Sequence, residues 1–122
     1  MTPDQIADRI IELAVEYKIR TDMDPSRHEV KAGHDVGICL GLKTGADKLR
    51  EALKLSNDLA LIADETDRFA DAYMAMLKRP ETLTDKETAY HHGIKRGLNM
   101  VAQLLRTAIS GGDVGSTPVI LQ

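Results

Sequence analysis

The residues of this chain with the most chemistry to offer are four histidines, at positions 28, 34, 91 and 92, one cysteine, and several acidic clusters. At about 100° per residue, His34 and Asp35 fall near the start of one expected helix. Tyr90 and His91 take the matching places in another. The four are expected to converge at one end of a helical assembly. Neutral imidazole and carboxylate suit zinc, nickel or iron, so His34, Asp35 and His91 are the candidate metal ligands. Their spacing matches neither His-Glu-x-x-His nor the Glu-x-x-His of di-iron bundles. The first expectation is therefore a hydrogen-bonded polar plug, with no cofactor.

The carboxylates suggest a different chemistry. Asp64-x-x-Asp67 resembles the second half of the carboxylate pattern of MazG-like all-α nucleotide pyrophosphohydrolases, Glu-x-x-Glu followed by Glu-x-x-Asp. That resemblance implies Mg²⁺ held between helices and a metal-dependent nucleotide hydrolase. Glu12 and Glu16, spaced by four, depart from the first half, and they lie opposite the Ile6/Ile10/Leu13 face, where solvent is expected. Cys39 falls at the edge of an apolar stripe, where a thiol behaves as a small hydrophobe. No helix start lies near it to lower its pKa.

Basic residues offer a third possibility. Arg50 and Arg106 occupy matching places in two similar segments, with Lys43 and Arg96 on nearby faces. Guanidinium forks suit phosphate or carboxylate, so these four are the candidate site for a small anionic, nucleotide-type ligand. The alternative is a solvated helix flank complementing a helix C-terminus.

Positioning any of these groups falls to helices. Ile6, Ile10, Leu13 and Tyr17 keep the spacing of one helical face. Thr2, Pro3 and Gln5 read as N-cap, first turn and capping-box partner, so the first helix is expected from Pro3 to about Arg20. Ser26 and Glu29 form a second capping box, opening a helix to about Ser56. Thr84 and Glu87 form a third, for a helix ending before Ser110-Gly111-Gly112. Phe69, Tyr73, Met76 and Leu77 mark the remaining helix, stopped by Pro80. Its start is read at Ser56-Asn57-Asp58 in preference to Asp64–Asp67.

Gly37-Ile38-Cys39-Leu40-Gly41-Leu42 matches Gly93-Ile94-Lys95-Arg96-Gly97-Leu98 at an offset of 56, and the match continues through Ala46/Ala102, Leu49/Leu105, Arg50/Arg106 and Ala52/Ala108. Asp8-Arg9 corresponds more loosely to Asp67-Arg68, shifted by three. The fold expected is all-α: a four-helix up-down bundle of two similar hairpins related by internal duplication. Gly33, Gly37, Gly41 and Gly45 recur every fourth residue in one helix, and Gly93 and Gly97 in another. A helical glycine costs about 1 kcal/mol relative to alanine. Close helix–helix approach, within the chain or across a dimer axis, is the expected compensation.

Residues 1–110 are expected to form one domain, and 111–122 a glycine-rich linker with an apolar tail whose Val119, Ile120 and Leu121 either fray or dock in a groove. The 122 residues carry 16 basic and 19 acidic side chains, a net charge of −3. That balance speaks against general nucleic-acid binding, and four aromatics without tryptophan speak against a single-strand stacking platform. One cysteine excludes an intrachain disulfide and fits a reducing compartment. No apolar run reaches the roughly 20 residues of a membrane span. The functional expectation is a non-catalytic binding or adaptor protein of the cytoplasm, with itself and another protein, or a small anion, as partners.

Overall fold

The computed structural model describes residues 2–23, 29–77 and 83–111. Four helices account for nearly all of them: α1 (Pro3–Met23), α2 (Glu29–Leu53), α3 (Leu59–Ala75) and α4 (Asp85–Ile109). The caps explain three of the starts. Thr2 Oγ1 accepts from Gln5 N at 3.2 Å while Gln5 Oε1 accepts from Thr2 N at 2.8 Å. Asp58 accepts from Leu61 N at 3.1 Å, so the earlier of the two candidate starts for α3 is the one used. Thr84 and Glu87 close a reciprocal box at the head of α4. The expected cap at Ser26 and the stop at Pro80 lie outside the described residues.

Two ends differ from the sequence reading. α1 continues past Arg20 to Met23, because Thr21-Asp22-Met23 contains no breaker and the constraint from Pro25 reaches back only one residue. α2 stops at Leu53, short of Ser56. There the backbone tightens into turn hydrogen bonds from Lys54, Leu55 and Ser56 N–H groups. α4 ends as expected, with Ser110 at the C-cap and Gly111 beyond it at φ +82°, the left-handed place that favours glycine.

α2 and α4 form the centre, side by side and parallel. Gly37 faces Gly93 and Gly41 faces Gly97; Cβ atoms added there would lie 3.0 and 2.9 Å from the opposing glycine Cα atoms. The glycine stripe is thus a seam within the chain. At its ends Gly33 meets Lys86 and Gly45 meets Val101. α1 packs against α2 and α3 against α4, each with only slight contact to the other central helix. Directions alternate along the chain, but α2 and α3 are not the close neighbours of an ordinary up-down bundle. The glycines shorten one diagonal and leave α1 and α3 on the flanks.

The core joins all four helices. Ile6, Ile10 and Leu13 of α1, Ile38, Leu42 and Leu49 of α2, Ile62 of α3, and Met100, Val101, Leu104 and Leu105 of α4 belong to one buried cluster. Ala70, Ile94 and Leu98 form a smaller one beside Tyr73 and Tyr90.

A single offset runs through the fold. Pro3 and Leu59, Glu29 and Asp85, and Leu53 and Ile109 each stand 56 residues apart as helix ends. At the same offset Ile6/Ile62, Ala7/Ala63, Asp8/Asp64, Ala14/Ala70 and Tyr17/Tyr73 are identical pairs. At this offset Asp64 stands at the place of Asp8, and Asp67, which the looser shift of three pairs with Asp8, holds Arg106 as well.

Candidate functional site

The N-terminal halves of α2 and α4 gather the polar groups expected there, but not as a metal centre. Among the described residues no three His, Cys, Asp or Glu side chains come together to hold a metal ion. His91 Nδ1 instead shares a 2.5 Å hydrogen bond with the Tyr73 hydroxyl, and Tyr90 stands edge-on to its ring. Asp35, at the place of His91 in the other hairpin, is 8% exposed and partnered. His34 lies apart in a shallow groove beside Lys31, Asp85 and His92. Burial pushes its pKa down, helped by the positive charge of Arg96 and by His92. Burial raises the Tyr73 phenol, and also that of Tyr17, where it outweighs the opposing pull of Arg20 and Arg96. The Tyr73–His91 hydrogen bond ties α3 to α4, and His34 stands outside it.

Arg50 and Arg106 do not converge on an anion site. Arg50 donates to Asp8 at 2.6 Å, tying the end of α2 to the start of α1. Arg106 donates to Asp64 at 2.8 Å and to Asp67, tying α4 to α3 in the same way. These hydrogen bonds, Asp64 first, raise the Arg106 pKa and keep it charged. Each guanidinium is neutralised by its own hairpin, and the two point to opposite flanks. Lys43 is exposed on α2, while Arg96 is partly buried and partnered on α4. The carboxylates with pyrophosphohydrolase-like spacing are engaged as well. Asp64 and Asp67 hold Arg106, while Glu12 and Glu16 each lie 3.3 Å from Arg9.

Comparing the hairpins at the 56-residue offset shows two asymmetries that sequence periodicity does not reveal. The first is a groove between α2 and α3, about 430 Å³, with Ile62 and Ala52 at its base beside Thr44, Lys48 and Thr66. The matching crevice between α4 and α1 is filled by Met100, Leu104 and Ile10, all buried. Where Leu104 fills that side, Lys48 turns out and sets its ammonium 3.8 Å from the Phe69 ring centre.

The second asymmetry is the outer face of the α1/α2 hairpin. Val15 and Ile19, one turn apart on α1, are 46% and 49% exposed; Val36 and Leu40, one turn apart on α2, are 48% and 40% exposed. Their counterparts on the α3/α4 hairpin are Asp71, Ala75, His92 and Arg96. There Asp71 reaches Lys95 at 3.7 Å across the helix pair. By the same register Val15 stands against Cys39, with Val36 and Leu40 on the adjoining turns. At these four places α3/α4 bears two charged side chains, a histidine and an alanine, and α1/α2 four large apolar ones. The exposed apolar side chains of α3/α4, among them Leu61, Phe69 and Ile109, lie elsewhere on that hairpin. The signal was present in the sequence as exposed positions off the buried stripe, but it carries weight only once the two hairpins are aligned residue by residue.

The tail residues Val119, Ile120 and Leu121, read as a docking segment, lie outside the described residues. No helix among the described residues is long and apolar enough to cross a membrane. In comparisons with protein-family models, curated proteins and solved structures, nothing matches this chain.

Proposed function

We propose that the protein is a non-catalytic helical binding module, made by duplication of one helical hairpin, in which the α1/α2 half has become the surface for protein partners. The observation that carries this reading is the apolar outer face of α1/α2, at places where α3/α4 bears Asp71, His92 and Arg96. Two hairpins sharing helix ends, an arginine staple and a glycine seam have no folding need for different outer surfaces. Four large apolar side chains exposed on one of them support an interaction site there. Support for duplication comes from the constant offset across all four helices and from the paired staples Asp8–Arg50 and Asp64–Arg106. The anion-binding alternative loses its motive because both arginines are already paired.

The test is capture from extract of the native cell with immobilised wild-type protein and with the variant Val15→Asp/Val36→His. Each substitution installs the residue found at the equivalent place in the other hairpin. The expected result is at least one species, the chain itself included, retained by wild type and lost by the variant. Identical retention by both would remove the reading.

A further inference from the structure

We infer that the partner of the α1/α2 face is a second copy of this chain, joined across a two-fold axis so that the same face of each copy meets. This rests on reading that face as a binding surface and adds its occupant. Three observations favour a second copy. The patch is formed by Val15, Ile19, Val36 and Leu40, all apolar, with exposed Lys18 and Lys43 beside it and the paired Asp8 and Arg50 about two turns farther along the hairpin. A surface of one chemical kind is complementary to itself, as a two-fold interface requires.

The equivalent surface of the other hairpin, the outer face of α3/α4, makes a poor alternative. Seating the patch there would desolvate Asp71, Lys95 and Arg96 against hydrocarbon, and burying charges without new partners is costly. It would also be a head-to-tail contact that need not close.

The size lies between that of a small and a standard interface. α1 spans 21 residues, about 31 Å at 1.5 Å per residue. Two packed helices side by side are about 20 Å across, so the hairpin face measures roughly 600 Å² in projection. A stable interface buries about 800 Å² per partner, and small ones about 500 Å². The four exposed side chains form the apolar part of this face, with exposed Lys43 beside Leu40.

The test is sedimentation equilibrium of the full chain between about 1 and 500 μM, with Val15→Asp, Val36→His and the double variant in parallel. Circular dichroism and thermal melting verify that each is folded. Wild type should approach twice the 13.4 kDa chain mass, and the double variant should dissociate at least about 100-fold more readily. Methyl NMR of wild type alone supplies a readout independent of any variant. Signals of Val15, Ile19, Val36 and Leu40 should shift with concentration while those of buried Leu98 and Leu104 stay fixed. A single-chain mass throughout overturns the inference. So does a two-chain mass unchanged in the folded double variant, or concentration-dependent shifts that leave these four methyl-bearing residues untouched. If wild type is a single chain yet still captures another protein that the double variant loses, the second copy falls and the binding-module reading stands. Loss of both distinctions removes both.

Discussion

A methyl group added at Gly41 is a sharper probe of the central seam than one added at Gly33. At Gly41 it would meet the Ile94 carbonyl and lie 2.9 Å from Gly97 Cα, so two backbones must separate. At Gly33 the nearest atoms are Cγ and the carbonyl oxygen of Lys86, at 3.1 and 3.2 Å, so a shift of a few tenths of an ångström makes room. Alanine regains about 1 kcal/mol of helix propensity at either place. Gly41→Ala should therefore lose about 3 kcal/mol or more, while Gly33→Ala should stay within about 1 kcal/mol of wild type. Urea denaturation of both variants checks the contrast. His34 offers a second residue-level test. Its folded pKa lies below the unfolded value of about 6.5, because burial and neighbouring positive charge disfavour the imidazolium. Its contribution to stability is complete above the unfolded pKa and is lost as pH falls through the folded one. The melting temperature should drop less between pH 7.5 and 5 in His34→Gln than in wild type.

At the scale of elements, the asymmetric crevices predict a stabilising substitution set. Thr44→Met, Lys48→Leu and Thr66→Ile copy onto the α2/α3 groove the residues that fill the α4/α1 crevice. The added hydrocarbon should outweigh loss of the exposed Lys48–Phe69 contact and of the Thr66 hydroxyl bond to Ile62 O. A net gain of about 1–2 kcal/mol, about 5 °C in Tm, is expected by calorimetry. A lower Tm would mean that the groove cannot close around these side chains. The four helices themselves were legible beforehand, because Thr2, Asp58 and Thr84 are local signals that act within three residues. The glycine seam was legible too, since glycine every fourth residue is hard to explain except by close approach. The fate of Arg50 was not, because its partner Asp8 is 42 residues away in sequence. Nor did periodicity reveal which margin of α1 stays uncovered at Val15 and Ile19. That depends on where α2 and α4 lie.

For the molecule as a whole, the two halves resemble one another enough to suggest that either could pair with itself, and their differences explain why neither should. A pair of α1/α2 hairpins joined by their own glycine seam would put Gly37 against Gly37 and Gly41 against Gly41. It would also place Lys48 where Leu104 is buried and Thr44 where Met100 is buried. A pair of α3/α4 hairpins would set Thr66 and Glu65 against Leu104 in place of Ile10 and Arg9. Only the mixed pair fills one crevice completely, and a hairpin of about 55 residues is small for independent stability. Cutting the chain between Ser56 and Asn57, in the exposed connection after α2, should give fragments 1–56 and 57–122 that are weakly helical alone. Mixed at equal concentration they should recover most of the helical circular dichroism and a cooperative melt, because the seam, the shared core and both arginine staples re-form without the connecting peptide bond. A fragment 1–56 that is fully helical by itself, with a melt no different from the mixture, would show that the halves do not depend on one another. The asymmetry of the crevices would then lose its structural meaning.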